Sequence, residues 1–168
     1  MRTRNIVLLM VGIMLSAGTL AAQSMAVPAN LQAAIFKKIL GFDKTLQSKD
    51  RIEVAVVYGD VAVKDAIIGA FNDLGIATVP LKSDQASQSL GNATVVYVAP
   101  GATAPKQLCA KNRVLSLSGV SSLVESGQVA IGIAVEGGKP KILIHRGQLK
   151  AEGQELADEV MSMARIIQ

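Results

Sequence analysis

Few residues in this chain are of a type and spacing that could do chemistry. His145 is the only histidine, so neither a multi-histidine metal site nor a relay using a second imidazole can be assembled. It follows an apolar run and precedes Arg146 and Gly147, a place that suits a partly exposed loop residue or a helix entry better than a general base. Cys109, in KQLCAKN, is the only cysteine. Its expected role is a small buried apolar side chain, with a disulfide between two molecules as the alternative. The chain contains no G-x-S-x-G, C-x-x-C or H-E-x-x-H pattern, the spacings that would place a nucleophile, a dithiol or two zinc ligands on one face. Gly137, Gly138 and Lys139 look like the end of a phosphate loop. However, the first glycine of that motif is missing, and Pro140 stands where the Mg-binding hydroxyl should be. The residues therefore predict no enzyme, no cofactor and no metal site.

A binding role has better candidates. In open parallel sheets, ligands settle outside the carboxyl ends of the strands. The expected strands end at Tyr58, Gly59 and Asp60, at Pro80, at Pro100 and Gly101, and at Ser118 and Gly119. Ser121 and Ser122 open the next expected helix, where free backbone N–H groups favour an anion. Ordinary turn glycines and helix caps would use the same residue types, and both readings stand at this level.

The elements that must position these residues alternate. Residues 28–46 carry Leu31, Ile35, Ile39 and Phe42 on one helical stripe, with Ala34 and Phe36 close by and Lys37 and Lys38 off it. Residues 52–58 form a β-branched run with little polar interruption, which suits a strand covered on both faces. Residues 61–74 return to helical spacing through Ala62, Ala66, Ile67, Ala70, Phe71 and Leu74, and Gly75 closes them. Strands are then expected at 76–79, 93–98 and 114–117, with short helices at 84–90, 105–111 and 120–125. The rhythm changes at 129–135 and 141–144, two strands separated by Glu136-Gly137-Gly138-Lys139-Pro140, a hairpin signal. Leu149, Leu156, Val160, Met163 and Ile167 form a last helical stripe, which Gly153 divides into a short helix and a longer one. Met161 and Met163 are expected to fill core. The sum is a single three-layer α/β domain over residues 27–168: a mostly parallel sheet with a C-terminal antiparallel hairpin, and helices on both faces.

Ahead of that domain, Arg2 and Arg4 precede an apolar run from Ile6 to Met14 and a stretch rich in small residues. This is the pattern of a secretory signal peptide over residues 1–22, with cleavage after Ala21, Ala22 or Ala26. An uncleaved anchor is the alternative, and the small-residue end followed by Val27 and Pro28 favours removal. Removal leaves about 145 residues, the usual size of one domain, and lowers the basic count from 17 to 15 against 13 acids. With no Trp, two Tyr and three Phe, and with scattered cations, the chain lacks the basic, aromatic-laced stripe of a nucleic-acid binder. A lone cysteine leaves an exported chain without internal disulfides, so its apolar core must hold the fold.

Four segments together carry a family resemblance: Val114-Leu115-Ser116-Leu117-Ser118, the spaced Gly127, the hairpin GIAVEGGKPKILIHRGQL, and residues 151–164. In order and spacing they resemble the C-terminal half of the YfiR-like family of exported bacterial proteins, and LQAAIFKKILGFDKTL is similar to the family's first helix. The resemblance implies a periplasmic α/β protein that binds the outer domain of an inner-membrane signalling protein, a diguanylate cyclase in better-understood members. It implies restraint of cyclic-di-GMP output and biofilm growth, and often a homodimer. The chain departs from the family in three places. Paired cysteines are absent, so redox control does not carry over; Gly41-Phe42-Asp43 replaces a frequent Trp-Pro; and His145 replaces a common Asn. A second function is open to the same layout, that of a small-ligand binder resembling one lobe of a periplasmic solute-binding protein.

Overall fold

A computed structural model describes residues 26–168; the expected signal peptide lies outside the described residues. The strands are β1 (Glu53–Tyr58), β2 (Ala77–Lys82), β3 (Val95–Val98), β4 (Leu115–Ser118), β5 (Ile131–Glu136), β6 (Lys139–His145) and β7 (Arg165–Ile167), with β3 the most β-branched. They make one seven-stranded sheet in the order β2-β1-β3-β4-β5-β6-β7. The first five strands run parallel, β5 and β6 are antiparallel, and β7 runs parallel to β6. The hairpin turn is tighter than the glycine-rich segment suggested. Glu136 pairs with Lys139, leaving Gly137 and Gly138 at φ 57° and 74° as the two positive-φ residues of a two-residue turn.

The helices are α1 (Ala29–Gly41), α2 (Val61–Asn72), α3 (Ser83–Ala86), α4 (Lys106–Asn112), α5 (Ser121–Glu125), α6 (Arg146–Ala151) and α7 (Asp158–Met163). Alternation along the strands sorts the core into two layers. Val54 and Val56 of β1, Val95 and Tyr97 of β3, and Leu115 and Leu117 of β4 pack with Phe36, Ile39, Ile67, Phe71, Leu149 and Val160 of α1, α2, α6 and α7. Ala55, Val57, Val96 and Val98 face the other way, onto Ala86, Cys109 and Val124 of α3, α4 and α5. The α/β class, the parallel sheet, the hairpin and the helices on both faces are as the sequence implied.

Three local expectations are corrected. The first helix ends at Gly41, is followed by a 3-10 turn at Leu46–Ser48, and is rotated from its predicted stripe. Leu31 and Phe42 are exposed, while Gln32, Ala33, Phe36, Ile39 and Leu40 are buried. The second correction concerns the longer terminal helix, which is the six-residue α7. Ala164 turns to an extended conformation at ψ 156°, and Ile167 belongs to β7 against β6; Met163 is exposed instead of filling core, whereas Met161 packs on the first layer. Finally, the second strand continues past Val79 to Lys82, which places Pro80 inside an edge strand, where a missing N–H is tolerated.

Candidate functional site

The strand order reverses at β1, with β2 on one side and β3 on the other, and this is the switch point at which doubly wound sheets take ligands. The predicted loops after β1 and β3 meet there, and Ser118 ends β4, the next strand, with Gly119, Ser121 and Ser122 after it. β1 ends at Tyr58, and Gly59 and Asp60 follow it into α2. The Asp60 carboxylate accepts from the Val63 N–H at 3.0 Å and caps α2, and the Lys64 ammonium lies 5.3 Å from the centre of the Tyr58 ring. Pro100 and Gly101 follow β3. A Cβ on Gly59 would sit 3.5 Å from the Gly101 carbonyl oxygen, so the two loops touch.

What fills the switch point comes from elsewhere in the chain. Ser83, at the start of α3, donates from Oγ to the Tyr58 carbonyl at 3.2 Å and accepts from the Thr103 N–H at 3.3 Å, tying three loops together. Ser118 is fully buried; its hydroxyl donates to the Val98 carbonyl at 2.8 Å and accepts from the Val120 N–H at 3.1 Å. Gly119 lies against Gln32 of α1, whose Oε1 would be 2.1 Å from a Cβ at that position. Gln32 donates to the Val27 carbonyl at 2.6 Å and accepts from the Tyr97 hydroxyl at 2.7 Å. The Tyr97 ring stands edge-on to Phe36 and Phe71, with centroids 6.0 and 5.8 Å away, and burial pushes its hydroxyl pKa up. Ser121 is half-buried and Ser122 exposed, both in the first turn of α5. The structure thus brings the Tyr58–Asp60 loop against Pro100–Gly101 and joins Ser118 to the end of β3 and Gly119 to α1, with the linking contacts made by Gln32, Tyr97 and Ser83. These three escape a motif search because each works through a partner remote in sequence.

His145 is a helix entry. Its Nδ1 accepts from the Gln148 N–H at 3.1 Å and caps α6. The ring lies so close to Gly127 that a Cβ there would stand 2.8 Å from Nε2. The spaced glycine therefore makes room for the imidazole.

A second polar cluster was not anticipated. β4 and β5 pair only through Leu117 with Ile131 and Ser118 with Gly132. Beside the earlier part of β4, the fully buried Glu152 carboxylate takes the place of a neighbouring strand. It accepts from the Ser116 N–H at 2.9 Å, the Ser116 hydroxyl at 2.5 Å and Gln148 Nε2 at 2.8 Å. The Ser116 hydroxyl in turn accepts from the Ala130 N–H at 2.8 Å. Burial raises the Glu152 pKa to about 7 against the pull of the Ser116 and Gln148 hydrogen bonds. Asp43 is also buried and shifted upward by desolvation; it accepts from the Thr45 and Leu46 N–H groups through Oδ1, while Oδ2 has no partner among the described residues. Among the described residues no group of three or more His, Cys, Asp or Glu side chains could hold a metal ion. No described helix is long and apolar enough to cross a membrane.

With this geometry in view, the chain is similar in fold to two solved proteins. A conserved domain protein from Vibrio cholerae matches at a TM-score of 0.62 and 12% identity, over 84% of this chain and 60% of that one. The ABC domain from Streptococcus pneumoniae, solved in complex with L-Trp, matches at a TM-score of 0.60 and 10% identity, over 84% of this chain and 62% of that one. The likeness establishes a shared α/β fold, and the chain spans about three-fifths of each neighbour's length. No family model matches the chain, and no curated protein does.

Proposed function

We propose that this is an exported, non-enzymatic regulatory domain that binds the periplasmic part of a membrane signalling protein, a diguanylate cyclase being the first candidate by the YfiR-like resemblance. The observation that carries this reading is the packed rim. Where this class of sheet usually opens a crevice, Gln32, Tyr97, Ser83 and Ser118 spend their polar groups on one another and on the backbone. A loop-built surface whose buried polar groups are already hydrogen-bonded to the chain suits a macromolecule, which binds by shape and rim hydrogen bonds instead of enclosure.

The test is co-purification with the periplasmic domain of a membrane cyclase, together with cyclic-di-GMP levels in a deletion strain. Binding is expected, with a rise in cyclic-di-GMP on deletion. The exposed rim variants Ser122→Arg and Thr103→Arg should weaken binding at least tenfold with unfolding unchanged. No binding and unchanged cyclic-di-GMP would overturn the proposal.

The likeness to a domain solved with L-Trp favours a second reading, a small-ligand binder corresponding to part of a solute-binding protein. A thermal-shift screen of amino acids separates the two. Saturable stabilisation of about 1 kcal/mol or more would favour the ligand binder.

A further inference from the structure

The opposite end of the sheet holds a pocket that the packed rim does not share. It lies beside the amino ends of β3 and β4 and has a volume of about 270 Å³. From its lining we infer a binding site for a small organic carboxylate with a short apolar body. The floor is apolar: Leu46, Leu90, Ala93 and Val114 are all buried. The polar part of the lining holds two cations, Lys49 and Arg113, two amides, Asn92 and Asn112, and two threonine hydroxyls, with no carboxylate among the lining residues. Neither cation forms an ion pair among the described residues. A guanidinium is the group best suited to take a carboxylate in two parallel hydrogen bonds.

Arg113 is also held in an unusual way. It is the one described non-glycine residue at positive φ, 54°, a conformation that costs an L-residue energy and persists only where its surroundings enforce it. The Gln154 amide donates to the Arg113 carbonyl at 3.0 Å. The stem of the Arg113 side chain passes Gly153 so closely that a Cβ there would be 3.4 Å from Cγ and Cδ. Glycine is the usual residue for such a helix end; here an arginine is kept instead, on the pocket lining, with its stem packed and without an ion pair among the described residues. The apolar floor then selects an alkyl carboxylate over a bare inorganic ion, because only the former has apolar surface to remove from water.

The test is an amide-resolved NMR titration of the protein with butyrate, with butyramide and inorganic phosphate as comparison probes. Butyrate should give saturable shifts confined to Lys49, Asn92, Asn112, Arg113 and their neighbours, with butyramide and phosphate at least tenfold weaker. Arg113→Gly is the decisive variant because glycine adopts φ 54° without strain. It should fold at least as stably as the parent and lose butyrate affinity at least tenfold, and Lys49→Gln should lose severalfold. Shifts that grow linearly without saturation, that butyramide reproduces, or that survive Arg113→Gly would each overturn the inference. None of these outcomes depends on a protein partner, so the site stands or falls apart from the regulatory role.

Discussion

At the scale of single residues, the buried polar side chains explain more than the motifs do. Glu152 gives the sharpest expectation. Its pKa rises from 4.5 in the unfolded chain to about 7 in the fold, so between these values the folded protein holds a proton that the unfolded chain has released. Stability from this group is therefore fully present below pH 4.5 and is lost as the pH rises through 7, by about 3 kcal/mol at the full shift. Asp43, also raised by burial, acts in the same direction. Urea unfolding at pH 5 and pH 8 should find the protein weaker at pH 8, and Glu152→Gln should flatten that slope; an equal slope in the variant would mean that the carboxylate stays ionised throughout. Gly119→Ala tests the other cluster. Its Cβ would fall 2.1 Å from Gln32 Oε1, and Gln32 is held at both ends by Val27 and Tyr97. A loss of about 2–3 kcal/mol in chemical unfolding is expected, and Gln32→Ala should restore part of it in the double variant because the clash partner is then absent.

At the scale of elements, the sequence was legible wherever burial is local and apolar, and misleading wherever a distant partner decides. The central strands, α2 with Gly75 after it, and the hairpin follow from period and turn residues alone. The first helix does not, because its buried face includes Gln32, which the Tyr97 hydroxyl 65 residues away holds inside; a hydrophobic stripe cannot register that pair. The end of the chain misled for a similar reason. Val160, Met163 and Ile167 fit a helical spacing, yet Ile166 and Ile167 are β-branched and find an open edge on β6, and a strand wins once that edge exists. The rim residues were legible as strand ends. Their inward packing was not, since Ser83 and Gln32 come from other elements. Removing residues 165–168 should test β7. It exposes the β6 edge, strips two half-buried isoleucines from the core, and breaks the Arg165 ion pairs to Glu125 and Glu136. The half-exposed ion pairs contribute little, so the loss should come mainly from the isoleucines, at about 2 kcal/mol. Thermal unfolding should show it, and faster proteolysis within 139–145 should accompany it.

At the scale of the whole molecule, two apolar layers on either side of one sheet must supply the stability, because the single thiol is free and buried. Cys109 reports on the second layer. It is wholly buried in α4 among Ala86, Val96, Val98 and Val124, and burial, together with the Glu152 charge, pushes its pKa up. Since the thiolate is the reacting species, a thiol reagent should modify the native protein at least a thousandfold more slowly than the unfolded chain. The rate should rise with urea along the global unfolding curve if the two layers open as one unit. Fast labelling well below the unfolding midpoint would instead mean that the short helices α3, α4 and α5 detach first, leaving the α1 and α2 layer with its Tyr97 cluster intact. That division is physically reasonable. The first layer holds the aromatic trio Phe36, Phe71 and Tyr97, whereas the second is built from alanines, valines and helices of four to seven residues, each of which lies below the length at which a helix holds without tertiary support.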